Sequence, residues 1–289
     1  MTRDKWAEWL AERRCGGDRA YEAEMLEELA EVRDRVLDHA ALQAGETLLD
    51  VGCGDGLIAF GALERGAALA IFSDISQDLL DRCTALAKER GLAGRSQFAL
   101  AGADDLSVIA DESVDVVTTR SVLIYVERKQ TALAEFFRVL RPGGRVSLFE
   151  PINRFGADYR RDESFWGYPP DGLRPERDKL NAVYERIQPL SDPMLDFDER
   201  DLVALCGRTG FAETHLELHV DIEAPKPVRW ETWLHASGNP KIPTLAEAME
   251  TALTGAEQER VVAHLQPLVE QGRGQTRSAI AYVWATKPG

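Results

Sequence analysis

The chain has 289 residues, 44% of them hydrophobic, enough for one α/β domain of ordinary size with embellishments. Forty-nine acidic against thirty-four basic residues leave a net charge of −15, which repels a phosphate backbone and argues against a nucleic-acid partner. Cys15, Cys53, Cys83 and Cys206 stand far apart without a C-x-x-C or Cys/His pairing, which argues against a disulfide framework or a zinc site. The chain opens without an apolar signal core and holds no apolar run of membrane-spanning length, so the expectation is a soluble, cytoplasmic protein with no membrane partner.

The first forty-odd residues read as helices. Trp6, Trp9, Leu10 and Arg13 share one face, and after the Cys15-Gly16-Gly17-Asp18 break Met25, Leu29, Val32 and Val36 do the same. The stretch 47–51 then reads as a short buried strand and 57–65 as a helix, so that Gly52, Gly54 and Gly56 fall on the strand-to-helix turn. Such a turn lets a ligand lie against bare backbone beside the unpaired N–H groups of a helix start, which points to a nucleotide-like cofactor. The dinucleotide fingerprint G-x-G-x-x-G is not met: the third glycine comes one position early and Leu57 stands in its place. That mismatch disfavours a nicotinamide-dependent oxidoreductase.

Strand and helix continue to alternate: strand 69–73, helix 77–90, strand 96–100, strand 114–118, helix 128–139 and strand 145–149, the rhythm of a parallel sheet. Asp74 ends the second strand, where a carboxylate can accept both hydroxyls of a ribose. Further on, 199–209 reads as a helix, and 215–222 and 277–286 as strands. Two long segments, 152–196 and 223–274, exceed a minimal sheet and are rich in aromatics, a pattern expected of a cap that shapes a pocket. Arg154, Arg160 and Arg161 cluster among Asp158, Asp162 and Glu163, which reads as a solvated loop of mixed charge.

With the glycine turn, Asp74, the Ala101-Gly102-Ala103-Asp104-Asp105-Leu106 stretch after the third strand, and Leu140-Arg141-Pro142-Gly143-Gly144-Arg145 before the fifth, the region from Thr47 to Arg154 resembles the class I S-adenosylmethionine-dependent methyltransferases, in their small-molecule, Methyltransf-11-like branch. The resemblance implies a Rossmann-like, seven-stranded, mostly parallel sheet with a reversed C-terminal edge hairpin, N-terminal helices and helical cap insertions. It divides the chain into an N-terminal helical lid (1–45), a cofactor-binding core (46–151), cap insertions (152–196 and 223–274) and the end of the sheet (197–222 and 275–289).

It also implies roles for single residues in holding S-adenosylmethionine. The turn from Gly52 through Cys53 and Gly54 to Gly56 would pass under the methionine part, with Asp50 orienting the ammonium group directly or through water. Asp74 would take the ribose hydroxyls and Ile75 would pack on the adenine. Ala103 and Asp104 would meet the adenine edge, with Asp105 as the alternative if the register slips by one. Arg120 and Ser121 follow the fourth strand, where Arg120 would bind the methionyl carboxylate or an anionic acceptor. Methyl transfer needs alignment and exclusion of water more than it needs a base. Tyr125, Glu150 and Arg154 are the candidate catalytic or substrate-anchoring groups, each with an equally good structural explanation. No carboxylate set for a metal is recognisable, so the expected reaction is metal-independent transfer of a methyl group to a small-molecule acceptor. The alternatives are a non-catalytic S-adenosylmethionine-binding regulator or assembly protein, and a peptide-modifying methyltransferase. Trp6, Trp9, Trp230 and Trp233 could form a homodimer surface as readily as a cap.

Overall fold

The computed structural model describes residues 3–289. A short helix, α1 (Lys5–Glu8), runs into one π-helical turn at Trp9–Arg13, and the long α2 (Arg19–His39) follows the glycine break. Asp4 and Asp18 start the two helices, each side chain accepting two of the backbone N–H groups that a helix start leaves unpaired. The chain then alternates through β1 (Thr47–Val51), α3 (Leu57–Glu64), β2 (Leu69–Asp74), α4 (Gln77–Glu89), β3 (Ser96–Leu100), β4 (Val114–Arg120), α5 (Lys129–Val139) and β5 (Leu140–Pro151). The first long insertion carries α6 (Asn153–Asp158), a π-helical turn at Tyr159–Glu163 and α7 (Arg174–Ile187). After α8 (Glu199–Thr209) and β6 (Glu213–Glu223), the second insertion holds α9 (Trp230–His235), α10 (Leu245–Ala252) and α11 (Gly255–Glu270), and β7 (Thr276–Thr286) closes the sheet.

The seven strands lie in the order β3-β2-β1-β4-β5-β7-β6. The first five are parallel, and β7 runs antiparallel between β5 and β6. Strand order reverses between β1 and β4, and in open α/β sheets a crevice opens there beyond the carboxyl ends of the strands. The arrangement is the Rossmann-like sheet with a reversed edge that the sequence predicts. Strand β5 begins earlier than expected: Leu140 pairs with Val114, the ladder breaks across the Pro142-Gly143-Gly144 turn, and pairing resumes at Val116 with Arg145.

Consecutive residues on a strand face opposite sides, and the buried apolar residues sort accordingly. Leu48, Val116 and Phe149 pack with Val36 and Leu37 of α2 and Ile58 and Ala62 of α3 on one face. Leu49, Val117 and Leu148 pack with Leu133 and Phe136 of α5 and Leu202 and Leu205 of α8 on the other. A separate apolar cluster joins the two insertions to each other: Phe165, Tyr168 and Leu180 from the first meet Trp230, Met249, Val261 and Leu265 from the second. Trp230 is buried in this cluster with Trp233 at 5.5 Å, and Trp6 and Trp9 line an internal cavity, because each ring finds apolar partners inside.

Candidate active site

A cavity of about 660 Å³ opens beyond the carboxyl ends of β1, β2 and β4. Its floor is the glycine turn. Gly52 has φ +65°, and a side chain there would strike Val122 at 2.5 Å, so the backbone has to be bare for β1 and the post-β4 segment to approach so closely. Gly52 and Gly54 line the cavity. Gly56 and Cys53, which the sequence puts with them, do not. Gly56 is the left-handed N-cap of α3, tucked against Phe60 and Phe72, and the Cys53 side chain packs in the apolar cluster with Cys83.

Asp74, 6% exposed, borders the cavity from the end of β2. Its Oδ2 accepts from the Gly54 N–H and its Oδ1 from the Ser76 N–H, both at 2.9 Å. These bonds fix the carboxylate while leaving lone pairs on both oxygens for a ligand. Burial raises its pKa despite those donors. Ile75 is 57% exposed at the same rim. Ala103 and Asp104 also line the cavity, whereas Asp105 turns outward to bond the Ser107 N–H, so Asp104 is the carboxylate that reaches the site. Asp104 is held by Arg128 at 2.9 Å.

Arg120 and Ser121 meet the cavity from the end of β4. Among the described residues the Arg120 guanidinium has no hydrogen-bond or ion-pair partner. Ser121 adopts φ +57°, a conformation that a non-glycine residue rarely takes and that tends to mark functional turns. Tyr125 lines the wall, its ring edge-on to Trp6 at 4.9 Å, and burial raises its hydroxyl pKa.

Three expectations are corrected. Asp50 does not reach the cavity: its Oδ2 accepts from the Ala59 N–H at 3.1 Å and its Oδ1 from the Thr118 hydroxyl at 3.0 Å. The reason is local, since Gly56 has no side chain with which to cap α3 and Asp50 on β1 satisfies that helix start instead. Glu150 is fully buried below the wall. Its oxygens accept from the N–H groups of Val122, Leu123 and Ile124 at 3.0–3.3 Å and from the Thr119 hydroxyl at 3.3 Å, holding the post-β4 turn in place. Desolvation nevertheless pushes both carboxyls up to about 7. Arg154 is exposed and away from the cavity, and its neighbour Asn153 faces in.

Asn153, Lys241, Arg14 and the N-terminal residues Trp6, Trp9 and Leu10 complete the wall. The N-terminal segment is tied down on both sides. Asp4 accepts from the Ser76 hydroxyl and its N–H donates to Asp78, both at 2.6 Å. The Trp9 Nε1–H donates to the Ser237 carbonyl at 2.7 Å, and Arg13 makes a two-pronged pair with Glu247. Two buried polar atoms of this wall lack a partner among the described residues, Arg14 Nε and Asn153 Nδ2. Buried polar groups are nearly always bonded, so the set suits a polar ligand. No group of three or more His, Cys, Asp or Glu side chains able to hold a metal occurs among the described residues, and no described helix is long and apolar enough to cross a membrane.

A second cavity, of about 930 Å³, lies between the two insertions and the N-terminal helices. Arg14 and Gly238 border both cavities. Arg160 lines this second space, partly buried, instead of lying in the solvated loop that its sequence context suggests.

The methyltransferase domain family Methyltransf_11 matches residues 49–148. Nocamycin O-methyltransferase of Saccharothrix syringae is 32% identical over 245 residues, covering 82% of this chain and 85% of the relative. The ubiquinone/menaquinone biosynthesis C-methyltransferase of Dinoroseobacter shibae is 34% identical over 166 residues, 55% of this chain and 66% of the relative. The solved structure of a geranyl diphosphate methyltransferase shares the fold, with a TM-score of 0.51 at 18% identity over 94% of this chain and 92% of that one. With a glycine turn, an acidic tip on β2 and a sheet of this order, and with that likeness along most of its length, the chain belongs to the class I S-adenosylmethionine-dependent methyltransferases.

Proposed function

We propose that the enzyme transfers the methyl group of S-adenosylmethionine to a small-molecule acceptor without a metal ion. The observation that carries the reading is the 660 Å³ cavity itself, where bare glycine backbone, the fixed Asp74 carboxylate, the Ala103-Asp104 pair and the unpartnered Arg120 face one void. Asp74 takes the ribose hydroxyls, Ile75 covers one face of the adenine, and the Ala103 N–H and Asp104 carboxylate read its edge. Gly52 and Gly54 underlie the methionine part, with Arg120 on its carboxylate and Ser121 beside it. The orphaned Nδ2 of Asn153 and Nε of Arg14 offer further donors.

Bound in this way, S-adenosylmethionine supplies a methyl group made electrophilic by its sulfonium. The protein's part is to align the acceptor and exclude water. Trp6, Trp9 and Leu10 on the wall support the second role, and the tied-down N-terminal segment that carries them is proposed as a lid over the donor, with the two insertions as a cap. Tyr125, its hydroxyl kept protonated by burial, is a hydrogen-bond donor to the acceptor rather than a base. A net charge of −15 supports a small molecule over a nucleic acid, and nocamycin O-methyltransferase is named for a small-molecule product.

Calorimetric titration of the ligand-free protein with S-adenosylhomocysteine, in parallel with NADH, tests the reading. Micromolar binding of the first alone is expected, and Asp74→Ala should weaken it by about tenfold or more, the worth of hydrogen bonds to a charged group. Binding of NADH instead, of neither ligand, or unchanged affinity in the Asp74→Ala protein counts against the assignment.

A further inference from the structure

The larger cavity has an unusual balance of charge and shape. Among the described residues, Arg14, Arg160 and Arg161 line it against one carboxylate, Glu185, which stands exposed at the rim. Arg161 is engaged with Asp158 at 2.9 Å, and Arg14 leans toward Asp55 at 3.9 Å. Arg160 differs. Its Nη2 donates to the Asn153 carbonyl at 3.0 Å, and among the described residues it has no carboxylate partner. The guanidinium lies over the Gly156 backbone, where a side chain would come within 2.6 Å of Nη1 and 2.5 Å of the Arg277 carbonyl oxygen. Burial with nothing to neutralise it lowers its pKa. A partly buried, unpaired cation is costly unless an anion joins it, and guanidinium suits a carboxylate because its fork matches both oxygens.

Most of the remaining lining is apolar, with Asn181, Gln188 and Ser237 as polar exceptions. Trp166, Tyr184 and Trp233 form an aromatic wall, with Tyr184 edge-on to Trp166 at 5.0 Å and Trp233 at 6.1 Å from it. Trp166 sits at φ +52°, inside the tight Phe165–Tyr168 bridge, where the Ser164 hydroxyl accepts from the Gly167 N–H at 2.9 Å. Strain of that kind persists only where surrounding bonds enforce it.

We propose that this cavity is the acceptor site and that it takes an amphipathic monocarboxylate, its carboxylate on Arg160 and its apolar body along Trp166, Tyr184 and Trp233. The proposal rests on the methyltransferase reading for the direction in which the acceptor points: the walls shared at Arg14 and Gly238 let a molecule anchored on Arg160 present a distant atom to the donor cavity. A single unpaired guanidinium, with Glu185 nearby, fits one negative charge better than the two of a phosphate. The carboxylate is therefore a handle, remote from the atom that is methylated.

The test uses the full-length protein saturated with S-adenosylhomocysteine and follows tryptophan fluorescence on adding 4-phenylbenzoate or dodecanoate, each against its uncharged amide. The expected result is that the acids bind roughly tenfold tighter than their amides, the scale of a charge-assisted hydrogen bond, and that Arg160→Gln removes this preference while leaving S-adenosylhomocysteine affinity unchanged. Equal binding of acid and amide, no binding of either acid, or a preference that survives Arg160→Gln overturns the proposal. The wild-type comparison needs no variant, so a misfolded Arg160→Gln protein does not remove the test, and Arg160→Lys should keep part of the preference. S-adenosylhomocysteine binding separates the two ideas: if it binds and the acids show no preference, the anchor fails alone, and if it does not bind, the donor reading fails whatever the acids do.

Discussion

Glu150 stands where a catalytic base would be sought, at the tip of β5, yet every neighbour treats it as a structural acceptor. Three backbone N–H groups and a hydroxyl converge on it. Replacing it with glutamine turns one acceptor oxygen into a donor facing other donors, which should destabilise the protein by about 1–3 kcal/mol. The loss should depend on pH. Burial raises the folded carboxyl from its ordinary 4.5 to about 7, so the folded state holds the proton more tightly than the unfolded chain, and that stabilisation is complete below about pH 4.5 and lost as pH rises through about 7. Thermal melts of wild type and Glu150→Gln across this window should show the deficit of the variant shrinking toward alkaline pH. A deficit that stays constant or grows would mean that Glu150 is ionised throughout.

Single residues were legible in the sequence where a motif fixes backbone geometry, and poorly legible where a side chain chooses between two sides of a loop. Gly52, Gly54, Asp74 and Ala103-Asp104 follow strand ends whose positions are set by the alternation of apolar runs, and they face one cavity. Asp50 and Glu150 also lie on strands, but each is claimed by N–H groups that three-dimensional packing leaves unpaired, a demand invisible in one dimension. Arg160 was masked by acids beside it in sequence, of which Asp158 pairs with Arg161 and Glu163 with Arg277 in space.

At the scale of elements, α1 is too short to stand alone, since an isolated helix of one turn does not hold in water. It persists through its cap and its ties: Asp4 accepts from the Trp6 and Ala7 N–H groups and from Ser76, and Trp9 and Arg13 reach across to the second insertion. Asp4→Ala should therefore loosen residues 5–13 without unfolding the sheet. Hydrogen exchange there is expected to quicken by about fivefold, the worth of one N-cap, while the amides of β1 and β4 stay as protected as before. Equal acceleration in the strands would show the segment to be part of the global folding unit. Periodicity placed six of the seven strands to within about two residues and put the start of β5 five residues late. It could not foresee the two π-helical turns, at Trp9–Arg13 and Tyr159–Glu163, because one extra residue in a turn leaves no mark on the apolar pattern.

At the scale of the whole molecule, the two insertions share one apolar cluster although 223–274 lies well beyond 152–196 in the chain, and α8 and β6 intervene. The second cavity exists only once both are in place, which is why its lining could not be read from either segment. Strand β7 has a similar standing within the sheet. It pairs with β5 on one side along 145–151 and with β6 on the other along its full length, so β6 has no place in the sheet until β7 is present. A chain ending at Gly274 should lack cooperative thermal unfolding and yield to protease along 199–223. A sharp melt in that fragment would show that the five parallel strands suffice.

The position of β7 also bears on how the protein is made. As the chain leaves the ribosome, β1 to β5 can assemble in order, but β6 emerges next with no neighbour to join, its backbone N–H and C=O groups unpaired. More than fifty residues must follow before the strand that seats it is synthesised. Over that interval the nascent chain carries an unpaired edge strand, the kind of surface that chaperones bind and that aggregates when they do not. The strand made last among the seven is thus the one on which assembly of the sheet waits.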